Sequence, residues 1–457
     1  MSASAIPLSA LDDSFLTVES PTAHMHVGWA ALFEPPAGRP RPGFEELRAH
    51  IGARLSRAPR YRQRLCSAPL DLDAPCWVDD RDFRLERHVT RATSTDLDEV
   101  AADCMSEQLD RERPLWELRV ADRLADGRIG VIGKAHHCMV DGIAAVELAS
   151  LLLDPSPDAV GEADEEWQPE EEPDTATRLA AIAQARAREQ IELARAVSGF
   201  LLSPRRLLGA ANSAAEAAVG ALNRTLRPAT PVAPLNEPIS PGRRLARASR
   251  PLADLQRVRE RFRATVNDVY LAAAAGALRR LLKERGQDPV PLKTMVPVSV
   301  REDDRLDALG NRISFMFVDL PCEEPDPERR LRRVQMAAAE SKESGDPGAA
   351  ELALRLIGYG PRTLRHLVAR AMASPRMFNL VVSNIPGPRE PMYMRGCELK
   401  EAYPVVPLAD GHALSIGMTT IQDRACFGLY ADRSSLGDVD RVADALHEST
   451  DELLALA

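Results

Sequence analysis

A chain of 457 residues is longer than one ordinary hydrophobic core, so two domains are the natural expectation. Apolar content of 45% and charged content of 28% are those of a globular protein, which excludes a disordered or fibrous chain. A net charge of −10 argues against a nucleic-acid partner, since such proteins carry a basic footprint.

In chain order, residues 1–155 read as mixed α and β. Met25 to Phe33 (MHVGWAALF) has the look of a buried strand, and Phe44 to Leu55 carries helical spacing. Glu117 to Leu124 and Ile129 to His136 read as two strands joined at Ala125-Asp126-Gly127-Arg128, with Asp-Gly as the turn signal. Ile143 to Leu153 (IAAVELASLLL) reads as a buried helix. Residues 156–240 change character. Nine acidic residues fall between Asp158 and Asp174 with no basic one, which predicts an exposed acidic linker. Residues 176–227 hold eight Arg against three Glu at helical spacing, and Pro204 divides them into two helices. They serve either as a solvated connector or as an amphipathic surface for anionic lipid. Residues 241–457 return to α and β. Helices are expected over 252–262, 266–284, 327–343, 349–372 and 436–456. Strands are expected over 293–300, 313–320 and 379–383, with a final hairpin of 413–420 and 425–431.

The cysteines, at 66, 76, 104, 138, 322, 397 and 426, are scattered and lack C-x-x-C spacing. Neither a disulfide framework nor a zinc site is expected, and a reducing cytosol is the simplest home. No basic segment followed by an apolar one opens the chain, and no apolar run reaches the ~20 residues of a membrane span. Lipid substrates would therefore be met at a surface.

The chemistry concentrates in Lys134 to Gly142 (KAHHCMVDG). A β segment ends in two histidines, then an aspartate and a glycine precede a helix. Asp141 is placed to cap that helix, and Gly142 permits close backbone approach. A histidine at a strand end facing a cleft can accept a proton at working pH. General-base help of that kind is worth roughly 10²–10⁴ in rate. Two packed histidines are the bland alternative. A metal site is not expected, because no third His or Cys cluster lies nearby.

This run resembles the HHxxxDG signature of the superfamily that contains chloramphenicol acetyltransferase, plant acyltransferases and peptide-synthetase condensation domains. Further blocks narrow the resemblance to one branch, the bacterial wax ester synthase/diacylglycerol acyltransferase family. They are Pro7-Leu8-Ser9-Ala10-Leu11-Asp12, Glu19-Ser20-Pro21 with Met25-His26-Val27-Gly28, Pro114-Leu115-Trp116-Glu117, Asn267-Asp268-Val269, Val296 to Arg301, and Ser383-Asn384-Ile385-Pro386-Gly387-Pro388. The acidic linker and the helices after it show little match.

The resemblance implies an α/β fold of two chloramphenicol acetyltransferase-like sandwich domains with the active-site tunnel at their interface. It implies acyl-CoA as co-substrate, no bound cofactor, and diacylglycerol or a fatty alcohol as acceptor. His137 would be the general base, with His136 supporting its geometry. Asp141 would hold the loop, through a salt bridge to Arg301 in the superfamily's manner, and Gly142 would serve close packing. Asn267 and Asp268 are either functional or simply a helix cap. Ser383 and Asn384 enter a Pro-Gly-Pro turn and can be a rigid crossover. Trp116 is expected in the core, and His24 and His26 either line the site or flank the first strand. Other hydroxyl acceptors remain open, as does a catalytically silent lipid-binding or droplet protein. The expected setting is cytoplasmic, peripheral to the inner membrane surface or lipid droplets, with Arg205 and Arg206 as candidate lipid contacts. Neither the groups that meet the CoA phosphates nor the oligomeric state follows from the sequence.

Overall fold

The computed structural model of the chain describes residues 6–36, 38–68, 74–139, 152–159, 167–201, 227–299, 313–343 and 362–457. Asp141, Gly142, Arg301, Arg205, Arg206, the division at Pro204, nearly all of the helix expected at 143–153 and the first part of that expected at 349–372 lie outside the described residues.

Strands β1 (Ile6–Pro7), β2 (His26–Glu34), β3 (Gln63–Cys66), β4 (Cys76–Asp79), β5 (Val89–Arg91), β6 (Trp116–Ala121) and β7 (Ile129–His136) come from the first part of the chain. From the rest come β8 (Arg243–Pro251), β9 (Leu292–Ser299), β10 (Ile313–Leu320), β11 (Leu380–Ile385), β12 (Tyr393–Met394), β13 (Cys397–Val405), β14 (Leu414–Ile421) and β15 (Arg424–Asp432). Among the described residues the helices are α1 (Ala10–Val18), α2 (Phe44–Gly52), α3 (Leu97–Ser106), α4 (Thr175–Leu201), α5 (Leu252–Phe262), α6 (Val266–Glu284), α7 (Pro327–Glu343), α8 (Arg362–Met372) and α9 (Asp440–Leu454).

Two six-stranded sheets carry the architecture, one ordered β12-β13-β2-β7-β6-β5 and the other β10-β9-β11-β14-β15-β8. A small sheet, β1-β4-β3, stands beside them. The β6–β7 hairpin forms as its sequence predicts. Its strands pair antiparallel from Trp116↔Ala135 to Ala121↔Gly130, and Gly127 takes the left-handed φ of 84° that the turn requires. Every residue of β7 is buried, and the strand lies inside its sheet with β2 on one edge and β6 on the other. Helix α6 is the core of the second half. Its Val269–Leu278 stretch is buried throughout, and four successive alanines, Ala272 to Ala275, let neighbouring helices approach closely.

The two sheets are not built from separate halves of the chain. After β11 of the second sheet, the chain crosses to supply β12 and β13 to the first. Strand β13 pairs antiparallel with β2 from Glu398↔Glu34 to Val405↔Gly28, with a register shift between Leu399 and Glu401. It also lies against β14 and β15. At Gly428 of β15 the approach is so close that a Cβ would sit 2.1 Å from the Pro404 carbonyl oxygen. Only glycine fits there. Polar groups reinforce the seam. The buried Arg243 guanidinium donates to the carbonyls of Thr22, Ser240 and Gly242 and faces Asp432 at 3.7 Å. Its backbone N–H donates to Ser106 Oγ at 2.9 Å. Arg247 pairs with both oxygens of Asp98, and Thr22 Oγ1 donates to Asp410 at 2.9 Å.

The described end of the acidic stretch is exposed, as expected, yet anchored. Glu172 pairs with Arg64 at 2.8 Å, Glu171 with Arg81 at 3.5 Å, and the Glu170 N–H donates to Asp79 at 3.0 Å. Trp167 packs edge-on to Phe83 beneath Arg62. The countercharges sit on the β3–β4 hairpin and its flanks, some 90 to 110 residues earlier in the chain, beyond the reach of a composition window. Asp174 then caps α4, accepting the Thr177 N–H at 2.7 Å.

Candidate active site

The end of β7 delivers the two histidines in different settings. His136 is the last residue of the strand, opposite His26 of β2. It is 1% exposed, and its Nδ1 accepts the Cys138 backbone N–H at 3.1 Å. That bond leaves the proton of the neutral ring on Nε2. Nε2 faces Glu19 Oε2 at 3.7 Å, too far for a hydrogen bond. Glu19 is itself held by Arg111 (Nε at 2.7 Å) and Gln108 (2.8 Å). Burial, with opposition from Arg111 and His137, pushes the His136 imidazole down to about 3. The ring is a neutral scaffold element.

His137 leaves the sheet. Its backbone N–H donates to the Met25 carbonyl at 3.0 Å. Met25 is buried and adopts a left-handed φ of 49°, an uncommon conformation for a residue with a side chain. Such outliers persist only where the surroundings over-determine them. The half-buried His137 ring lies flat against Phe15 of α1, with centroids 3.6 Å apart and planes 12° from parallel. Its Nδ1 is buried and has no hydrogen-bond partner among the described residues. Burial pushes its pKa down to about 4, so the imidazole is neutral at pH 7.

Helix α1 is therefore part of the site. Ser9 caps it by accepting the Asp12 N–H at 3.1 Å. Phe15 and Glu19 lie one helical turn apart and reach the two histidines. Asp13, 2% exposed, faces His366 at 3.4 Å and Arg362 at 3.7 Å, which seats α8 on α1.

His24 and His26 are buried in the wall behind the site. His24 bonds the Pro21 carbonyl at 3.0 Å, and His26 Nε2 accepts the Leu109 N–H at 3.4 Å. Burial lowers both pKa values. Lys134, two residues before His136, is fully satisfied by Cys104 O, Glu107 O and Glu117. The Cys138 thiol is buried, and burial pushes its pKa up, the wrong direction for a nucleophile. Trp116 is in the core, 1% exposed, donating to the Tyr61 carbonyl at 2.8 Å.

The sites expected in the second half have partners of their own. Asp268 forms a capping box with Thr265: Oδ2 accepts the Thr265 N–H at 2.8 Å, and the Asp268 N–H donates to Thr265 Oγ1 at 3.1 Å. Asn267, beside it, is half-buried. Ser383 is buried in β11, where its carbonyl accepts from Tyr270 Oη at 3.4 Å, and Asn384 is exposed. Among the described residues no hydrogen bond or ion pair joins any of these four to His136 or His137. Nothing in the sequence points to Phe15 or Arg111, and Glu19 and Met25 stand out only as parts of the resembling blocks. The Ser9 cap and the Asp12-Asp13 pair were the available signals for α1.

Residues 8–270 match the family model of the wax ester synthase/diacylglycerol acyltransferase catalytic domain, and residues 309–454 match that of the WS/DGAT C-terminal domain. A probable diacylglycerol O-acyltransferase (tgs1) of Mycobacterium tuberculosis is 33% identical, over 98% of this chain and 96% of the relative. The solved wax ester synthase/diacylglycerol acyltransferase of Marinobacter aquaeolei VT8 superposes with a TM-score of 0.70 at 26% identity, covering 98% of each chain. The first condensation domain of the CDA synthetase, at 13% identity and a TM-score of 0.61, covers 99% of this chain and 97% of its own and shares the fold.

Proposed function

The chain belongs to the wax ester synthase/diacylglycerol acyltransferase family, and from that premise we propose that it transfers a fatty acyl group from acyl-CoA to a hydroxyl of diacylglycerol or of a long-chain alcohol, with His137 as general base. The observation that supports this reading is the half-buried His137 imidazole, neutral at pH 7 and oriented by its stack on Phe15. An oriented, neutral imidazole that is only half-buried is suited to take a hydroxyl proton.

The chemistry needs such a group, because an alcohol is a weak nucleophile until its proton is removed. His137 takes the acceptor O–H proton while the oxygen attacks the thioester carbonyl. A C–O bond forms and the carbonyl electrons move to oxygen. Collapse of the tetrahedral intermediate breaks the C–S bond, and the imidazolium returns its proton to the CoA thiolate. No acyl-enzyme is required. A ring held near pKa 4 is a weak base in the empty site, but the developing oxyanion lies beside the developing imidazolium. Each charge stabilises the other, and burial strengthens the attraction. His136, fixed by the Cys138 N–H and flanked by Glu19–Arg111, holds the base in place. Asp141 and Arg301 are assigned the bracing of the following loop through an ion pair. An Arg301→Ala variant is expected to lose activity as Asp141→Ala does, and an unaffected Arg301 variant removes that pairing.

Acyl-CoA is a co-substrate in this scheme, and no resident cofactor is invoked. Among the described residues no helix is long and apolar enough to cross a membrane. Long-chain acceptors partition into lipid, so the enzyme is assigned to the surface of a membrane or droplet. The test is thiol release from palmitoyl-CoA with diacylglycerol, hexadecanol or no acceptor, beside a folded His137→Ala variant. Acceptor-dependent release should fall about 10²–10⁴-fold in the variant. Undiminished release displaces His137 as base, and no release with any acceptor overturns the acyltransferase reading.

A further inference from the structure

Helix α8 turns its two leucines outward. Leu364 and Leu367 are 47% and 66% exposed, and with Thr363, Arg370 and Ala371 they form one outward stripe. Leu367 is the most exposed large hydrophobic side chain among the described residues. The remaining positions mix charged groups with the half-buried Val368, Ala369 and Met372. Arg365 is 7% exposed, and Arg362 and His366 face the buried Asp13 of α1. A helix docked on its own protein normally buries the apolar stripe and exposes the charges. Here Arg362 and His366 meet Asp13 of α1, and the two leucines are left outside.

The charge balance of the segment selects the occupant. Residues 362–376 contain four arginines and a histidine with no acidic residue, in a chain whose net charge is −10. Arg370 and Arg376 are exposed. Apolar side chains flanked by arginine, on a helix lying at a protein surface, match the interfacial plane of an anionic phospholipid layer: leucines reach the acyl boundary and guanidinium groups meet phosphates. The location adds a consequence. Helix α8 rests on α1, and α1 carries the Phe15 ring that stacks on His137.

We propose that the exposed Leu364–Leu367–Arg370 face of α8 is the surface by which this protein docks on anionic phospholipid, bringing the lipid-borne acceptor to the α1 side of the active site. Docking stands on the face alone, whereas acceptor delivery rests on the acyltransferase reading.

The experiment uses the full chain and vesicles of phosphatidylcholine with or without phosphatidylglycerol. Wild type should float with the anionic vesicles and less with the neutral ones. Leu364→Glu/Leu367→Glu should cut flotation by about tenfold or more, with Leu364→Ser/Leu367→Ser as a milder pair that keeps the fold, and Arg370→Glu/Arg376→Glu should erase the preference for anionic lipid. Turnover is measured in parallel with diacylglycerol in those vesicles and with a water-soluble pair, butyryl-CoA and hexanol. The leucine variants should lose vesicle turnover by about the same factor and keep the wild-type rate on the soluble pair. Unchanged flotation in the α8 variants, absence of wild-type flotation, or flotation lost only on charge reversal at Arg205 and Arg206 overturns the docking surface. An equal loss on both substrate pairs overturns delivery. If wild type floats and α8 variants do not, while neither pair is turned over by any form, docking stands and the acyltransferase reading fails.

Discussion

At the scale of single residues, the proposed base is governed by what covers it. Phe15 shields one face of His137, and burial holds the imidazole at about 4. The unprotonated ring is the active form, so a depressed pKa extends activity toward acid. The kcat/KM profile should stay level from neutrality to about pH 5 and fall below that. Phe15→Ala admits water to the ring face, and its acid limb should move up toward the ordinary histidine value near 6.5. A pH–rate profile of the two proteins on the soluble substrate pair checks this, and superimposed limbs would refute the shielding. Much of this site was legible beforehand: His136 and His137 announce themselves in KAHHCMVDG. Their supports did not, because Phe15, Glu19 and Met25 meet the histidines across more than 100 residues of chain. A helical window around Phe15 shows an amphipathic turn and nothing of the ring it will meet.

Among the secondary-structure elements, two local devices separate stability from catalysis. Thr265 and Asp268 cap α6 reciprocally, so Thr265→Ala and Asp268→Ala should each lower stability by about 1 kcal/mol with kcat unchanged in the folded fraction. Denaturant titration beside turnover checks both numbers, and a collapse of kcat at full folding would give Asp268 a chemical role. The second device is buried. Arg54, 1% exposed, donates to both oxygens of Asp154 at 2.8 Å, tying α2 and the turn after it to the segment that follows residue 151. Asp154→Ala strands a buried guanidinium and should cost about 3–5 kcal/mol, read from the same titration. Strands rich in β-branched or aromatic residues, such as β7, β10 and β15, were found from sequence nearly to their ends. Strand β8 (RRLARASRP) was missed because its arginines alternate with small residues and carry no β-branched signal. Strand β13 was missed because Pro404 argues against a strand interior; it is tolerated where β12, only two residues long, leaves the outer edge unpaired.

For the molecule as a whole, buried neutral histidines set the acid limit of the fold. His50, His136 and His412 are held at about 4, 3 and 4, each chiefly by burial. Between pH 6.5 and 4 the unfolded chain binds protons on these groups that the folded chain refuses. Their contribution is complete above pH 6.5 and is lost as pH falls, at up to roughly 1.4 kcal/mol per pH unit for each. Melting temperature should therefore drop steeply from pH 6.5 to 4.5, and a flat calorimetric profile would contradict it. The seam between the sheets is the other global constraint. Gly428→Ala forces a Cβ into the Pro404 carbonyl and should unfold the protein or lower its melting temperature by many degrees. Gly127→Ala, strained only in its turn, should cost about 1 kcal/mol.

Strand β13 also imposes an order on biosynthesis. The edge of β2 that it covers stays vacant until residue 405 has left the ribosome, long after β2 itself has emerged. The amino-terminal sheet cannot be finished while it is the only part translated, and a nascent or truncated chain presents an unpaired apolar strand edge to its neighbours. A ribosome that stalls between β11 and β13 thus releases a product that needs a chaperone.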